Sequence, residues 1–190
     1  MKRDIVVIGA ALGGVTAIAK IALTWPADLP ATVLIALATP TQPQPMVLQI
    51  LQGYAHIPMA YAIQGEALKQ QQIYLSPPGK HMIVRAGGFV HLDDGNAFDA
   101  TKPSINRLFA SAAAVYGPRV IGIILSGGTR DGAQGMRDIA KAGGVGIVQR
   151  PDDAVEPRMP RNTIQNDHPR HCVDAADIAP LVQRLMANTE

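Results

Sequence analysis

Aromatic side chains are scarce in this chain: three Phe, four Tyr and one Trp in 190 residues. A core must therefore be filled by Ala, Val, Ile and Leu. Cysteine is nearly absent too. The single Cys172 excludes an intramolecular disulfide and suits a reducing compartment. No apolar run reaches the roughly 18 residues of a membrane span. Net charge of one sign is lacking as well, at +2 overall. No Lys/Arg cluster has the density that nucleic-acid binding requires. The N-terminus Met1-Lys2-Arg3-Asp4 carries the positive charge of a signal peptide. Gly13-Gly14 and then Lys20 interrupt the apolar stretch behind it, so no leader is expected. These absences point to a protein of the cytoplasm, with neither nucleic-acid partner nor membrane insertion.

What is present is apolar residues at 47 %, typical of globular proteins. The length suits one domain over 1–190 with a sizeable core. No internal repeat, low-complexity tract or linker divides it. Short β-branched runs alternate with helical patterns, the signature of a parallel sheet covered by helices. The pattern predicts strands at Asp4–Ile8, Thr32–Leu37, Val120–Leu125 and Val145–Gln149. Val120–Leu125 has no polar alternation, so burial on both faces is expected. Helices are predicted near Gly14–Leu23, Met46–Gln52, Pro103–Tyr116, Asp131–Ala142, Met159–Gln165 and Ala175–Ala187. Ile105, Leu108, Phe109, Ala112 and Val115 recur at helical spacing. In the middle, Pro58–Ile63, Gln72–Leu75, His81–Arg85 and Phe89–Leu92 read as short strands. Gly65-Glu66, Pro77-Pro78-Gly79 and Gly87-Gly88 separate them, which predicts inserted antiparallel hairpins. Irregular connections are expected around Pro40, Pro43 and Pro45 and over Asp93–Lys102.

Three segments are candidates for chemistry. Gly9-Ala10-Ala11-Leu12-Gly13-Gly14 follows a strand and opens a helix. Small residues there let the backbone turn sharply and aim N–H groups at a ligand or oxyanion. The bland alternative is a tight turn with close helix–strand packing. Gly9-x-Ala11-x-x-Gly14 also matches a loose dinucleotide fingerprint. That fingerprint needs a carboxylate at the end of the second strand, which here reads Leu37-Ala38-Thr39-Pro40, and Asp28 is wrongly placed. No cofactor is expected. Asp131 follows the buried strand and, with Gln134, has the spacing of a capping box on its own helix. Asp167, His168, His171 and Cys172 hold no convincing metal-ligand spacing, since Pro169 spoils the helix; a solvated loop is expected there.

Taken together, Ile5–Gly14, Val33–Pro40 and Ile123–Ala133 resemble the chemotaxis protein-glutamate methylesterase domain. Tyr74-Leu75-Ser76-Pro77-Pro78-Gly79-Lys80-His81, Lys102–Phe109, Val148-Gln149-Arg150-Pro151 and Glu156–Arg161 extend the resemblance over almost the whole chain. The resemblance implies a doubly wound α/β fold, with a mainly parallel sheet and helices on both faces, and no receiver domain in 1–190. It also implies a Ser-His-Asp triad hydrolysing glutamate methyl esters. Here the serine position reads Ala11, the histidine position reads Ala38, and Asp131 remains as the acid. The family often has a methionine before the aspartate that shapes the oxyanion site; Gly128-Thr129-Arg130 stands there instead.

A methyl group neither attacks an ester nor takes a proton. Other hydroxyls, Thr16, Thr39 and Ser104, would need a base in reach. His56, His81, His91, His168 and His171 match no triad position, and all but His81 read as surface or loop residues. The expectation is a catalytically silent domain of a chemotaxis-type system that binds a methyl-accepting receptor or related signalling protein. Two alternatives stand beside it. One is an active methylesterase whose Ser and His were replaced by Ala11 and Ala38. The other is a relocated nucleophile.

Overall fold

A computed structural model describes residues 2–38, 46–96, 99, 101–167 and 169–187. The expected connection around Pro40, Pro43 and Pro45, and the candidate residues Thr39 and His168, lie outside the described residues.

Nine strands and six α-helices succeed one another among the described residues. They are β1 (Ile5–Ala10), α1 (Gly14–Thr24), β2 (Thr32–Leu37), α2 (Met46–Gln52), β3 (Met59–Tyr61), β4 (Gln72–Leu75), β5 (His81–Arg85) and β6 (Phe89–Asp93). Then come α3 (Ile105–Tyr116), β7 (Val120–Ile124), α4 (Ala133–Lys141), β8 (Val145–Gln149), α5 (Arg158–Asp167), β9 (His171–Val173) and α6 (Ala175–Ala187). Seven strands form one sheet in the order β3-β4-β2-β1-β7-β8-β9. All its pairings are parallel. β5 and β6 form a separate antiparallel hairpin.

Alternation along β1 sends side chains to two cores, as the strand period of two requires. Val6, Ile8 and Ala10 pack with α1, α2 and α6 through residues such as Ile18, Ile21, Leu51, Ile178 and Val182. Ile5 and Val7 pack on the other face with Leu108 and Phe109 of α3, Met136 and Ile139 of α4, and Met159 of α5. The β5–β6 hairpin closes over α3: Met82, Val84 and Val90 join that second core, and the Val84 N–H donates to Ser111 Oγ at 3.0 Å. The doubly wound architecture is thus built from aliphatic residues, with Trp25 and Phe109 among the largest buried side chains.

Three expectations need correction. The middle segment holds one antiparallel hairpin, not several: β3 and β4 join the main sheet in parallel, Met59 to Ile73 and Thr32 to Gln72. His171 and Cys172 are not loop residues but lie in β9, paired with Ile147 and Val148. Asp131 does not open its own helix. α4 begins at Ala133 behind Gly132, whose φ of 104° suits glycine, and no side chain caps it from that position.

Candidate functional site

β1 and β2 pair in parallel with Ala10 opposite Leu37, so the next residues, Ala11 and Ala38, leave the sheet side by side. The Ala38 N–H donates to the Ala10 carbonyl at 2.8 Å. On the other flank, the Ala11 N–H donates to the Ser126 carbonyl at 2.9 Å. The hydrogen-bond ladder therefore runs across the carboxyl edge of β2, β1 and the segment after β7. This edge is where open α/β sheets place their sites. Ala11 and Ala38 are 5 % and 4 % exposed, so their methyl groups face packed surroundings.

The turn after β1 has physical reasons for its glycines. Gly13 has φ 80°, and a Cβ there would stand 2.6 Å from both Ser126 Oγ and Val155 Cβ. The Gly14 N–H returns to the Ala11 carbonyl at 2.8 Å, closing the turn into α1. Gly127 faces Ala11: a Cβ on Gly127 would lie 2.9 Å from Ala11 Cβ and 2.6 Å from Met159 Cε. Ser126, the buried hydroxyl nearest Ala11 in this ladder, is fully engaged. It donates to the Leu12 carbonyl at 2.7 Å and accepts the Glu156 N–H at 2.9 Å, while its own N–H goes to Gln149 Oε1 at 2.9 Å.

Asp131 lies further along the loop that follows β7. Its carboxylate accepts the Ile105 N–H at 2.6 Å and the Asn106 N–H at 2.9 Å. Thr101 Oγ1 donates at 3.0 Å and Ser104 Oγ at 3.5 Å. The acid thus caps α3, in addition to the local cap in which Ser104 Oγ accepts the Arg107 N–H. A carboxylate at a helix N-terminus satisfies orphan donors and complements the dipole. The capping is reciprocal, because Asn106 Oδ1 of α3 accepts the N–H groups of Gly132 and Gly135 at the start of α4. Gln134, expected to close a capping box with Asp131, bonds Arg137 and Asp138 instead. Asp131 also reaches β1 through Ile105. A Cβ on Gly9 would lie 2.3 Å from Ile105 Cγ2, so that side chain packs directly on the strand that delivers Ala11.

His81, in β5, is wholly buried. Its Nδ1 accepts the Ser104 N–H at 2.9 Å, which assigns the proton to Nε2, and Nε2 faces Asp99 Oδ2 at 2.9 Å. The Asn96 N–H first, and then His81, hold the Asp99 carboxyl below the usual carboxylate range. A crevice of about 520 Å³ opens beside this network, lined by His81, Asp99, Thr101, Ser104, Arg130 and Asp131 among others. Sequence reasoning singled out Asp131 and named Ser104 as a nearby hydroxyl, but missed Asp99 and Thr101. Thr16 lies elsewhere, in a groove between α1 and α2. His91 is held by Gln64 Nε2. Among the described residues, no helix is long and apolar enough to cross a membrane.

Comparison with known proteins places the fold and the family. A family model described as CheB methylesterase matches residues 6–182. A Leptospira interrogans protein named putative protein-glutamate methylesterase/protein-glutamine glutaminase is 30 % identical over 188 residues, covering 99 % of this chain and 97 % of that protein. A protein-glutamate methylesterase/protein-glutamine glutaminase of Symbiobacterium thermophilum is 33 % identical over 98 % of this chain, which spans only 51 % of it. The crystal structure of the Thermotoga maritima CheB methylesterase catalytic domain shares the fold, with a TM-score of 0.90 at 24 % identity over 97 % of this chain and all of that one. The chain belongs to the CheB methylesterase family.

Proposed function

We propose that this chain is a catalytically silent member of the methylesterase family, acting in the cytoplasm by binding a methyl-accepting receptor or a related signalling protein. In this reading Ala11 takes the nucleophile position, Ala38 the general-base position, and Asp131 is the retained acid. The observation that carries the reading is the pair of buried methyl groups at adjacent strand ends. A nucleophile and a base are the two groups such a hydrolysis cannot lose together.

The surroundings support the same reading. Ser126 spends its hydroxyl on the turn and on Glu156. Ser104 meets His81 only through its backbone N–H, so its hydroxyl has no imidazole to deprotonate it. The Thr101 hydroxyl points at Asp131, but that carboxylate already accepts from three other donors, Ser104 Oγ and the Ile105 and Asn106 N–H groups. A loss of catalysis leaves the loops at the sheet edge intact, and in such folds these loops carry recognition.

Two measurements test the proposal. Methanol release from a methylated receptor fragment, and ammonia release from its glutamine form, are followed with the purified protein beside an active relative. Residual rates of at most ~10³–10⁴ over water are expected, from binding contacts alone. Turnover within about tenfold of the relative would establish an enzyme with a relocated nucleophile. Calorimetric titration with the same fragment tests binding; no heat at any methylation state would remove the partner from the proposal.

A further inference from the structure

The loop after β7 and the start of α5 gather positive charge that the turn and the capping network do not use. Arg130, on the loop before α4, faces Arg158 and Arg161 at the start of α5 across a cleft of about 440 Å³. Asn162 and Gln165 complete its polar walls, and among the described residues Glu156 is the only acid lining it. The cleft therefore carries three guanidinium groups against one carboxylate. Glu156 Oε1 accepts the Arg158 N–H at 3.2 Å. Among the described residues, the Arg130 and Arg161 side chains make no ion pair or hydrogen bond.

The walls are built. Arg158 Nη1 donates to the Gly128 carbonyl at 3.0 Å and Asn162 Nδ2 to the Arg130 carbonyl at 3.3 Å, which ties α5 to the loop. Like charges held together in a concavity repel, and a bound anion relieves that repulsion. The guanidinium fork matches a carboxylate with two parallel hydrogen bonds.

The neighbourhood narrows the anion. Val155 and Leu12, 72 % and 61 % exposed, lie close by: Val155 stands over Gly13, and Ser126 links the Leu12 carbonyl to Glu156. An apolar rim next to a cationic cleft fits a segment with an apolar face and an acidic face. A nucleic acid would need a broad basic surface, which a net charge of +2 does not supply. Resting on the binding reading above, we propose that the cleft of Arg130, Arg158 and Arg161 takes the glutamate carboxylates of an acidic amphipathic partner helix. The domain then prefers the unmethylated form of its partner, since an ester or amide lacks the charge.

The test uses the full chain and two fluorescein-labelled helical peptides of Ala, Leu and either Glu or Gln, with Leu along one face. Fluorescence anisotropy at low salt should show the Glu peptide binding at least about tenfold more tightly than the Gln peptide, and weakening as salt screens the contact. The double variant Arg130→Ala plus Arg161→Ala should lose about tenfold or more, with an unchanged melting temperature because both side chains are exposed. Equal binding of the two peptides, full binding by the double variant, or tighter binding of a single-stranded oligonucleotide than of the Glu peptide would each overturn the inference. A receptor fragment held equally by wild type and double variant would overturn the cleft while leaving the binding reading standing. Arginine-dependent capture of the Glu peptide with no receptor binding would uphold the cleft and remove the receptor.

Discussion

Asp131 caps a helix to which it does not belong: its Oδ2 accepts the Ile105 N–H at 2.6 Å, the first backbone donor of α3. Asn106 returns the favour to α4, so the two helices begin by holding each other. This cross-capping gives Asp131 a structural task that survives without a histidine partner.

Replacing Asp131 by Ala should therefore destabilise the fold, whatever it does to chemistry. Two backbone donors and two hydroxyls lose their acceptor in a partly buried place, for a cost of about 2 kcal/mol. For a domain of this size that lowers the melting temperature by roughly 4–8 °C. Thermal unfolding followed by circular dichroism measures it. An Asp131→Ala protein that melts with the wild type would show that water replaces the cap at no cost.

The close approach of Gly127 to the β1 turn makes a second expectation. A methyl group on Gly127 meets Ala11 Cβ at 2.9 Å and Met159 Cε at 2.6 Å. The thioether end can swing aside, but Ala11 sits on backbone fixed by the Ser126 ladder. Gly127→Ala should cost about 1–3 kcal/mol by overpacking, read as a lower midpoint in urea. If the midpoint is unchanged, the loop after β7 yields more readily than its hydrogen bonds indicate.

Much of the fold was legible because its signals are local. The unbroken apolar run of β7 announced a central strand, and the spacing of Ile105, Leu108, Phe109 and Ala112 announced the buried face of α3. The glycine pair between β5 and β6 announced the hairpin. Partner direction was not legible. β3 and β4 are short runs that look alike whether they pair in parallel or antiparallel, and only the sheet edge offered by β2 decides. β9 is three residues long, too short for periodicity to register. At the site, the placement of Ala11 and Ala38 followed from strand ends. The partners of Asp131 did not, because a capping box is read along one helix while this cap reaches across to another. His81 looked like an ordinary strand residue because Asp99, which holds it, sits in a polar stretch with no pattern of its own.

Acid should loosen the protein through carboxylates whose folded-state affinity for protons is reduced. Asp153 is one: burial raises its pKa, but the Ala175 N–H and the Gln149 amide lower it further, and the net shift is downward. Asp99 shifts the same way. A depressed carboxylate contributes stability that is complete above its unfolded pKa, near ~3.9, and disappears as pH falls through the folded value. The melting temperature of wild type should therefore exceed that of Asp153→Asn at pH 6, and the difference should shrink from about pH 4 downward. A difference that stays constant to pH 2.5 would mean that the charge of Asp153 contributes nothing.

The scaffold should stand nearer to a competent enzyme than two alanines imply. Ala11 and Ala38 leave neighbouring strands at the same level, Asp131 stands on the loop after the next strand, and the Gly13 and Gly14 turn is intact. Ala11→Ser together with Ala38→His should restore measurable hydrolysis of a methyl ester, followed as methanol release. Either change alone should stay at background, because nucleophile and base act as a unit and their effects are far from additive. The recovered rate should remain well below that of an active relative. A misplacement of about 1 Å costs on the order of 10²-fold, and the introduced imidazole must compete with Thr101 and Ser104 for a carboxylate already holding two backbone N–H groups. A triple variant that adds Thr101→Val should gain further, since it frees one acceptor site on Asp131 without touching the helix cap. If the folded double and triple variants both fail to release methanol, then the loop of Gly128, Thr129 and Arg130 no longer supports chemistry, and binding is what this edge of the sheet retains.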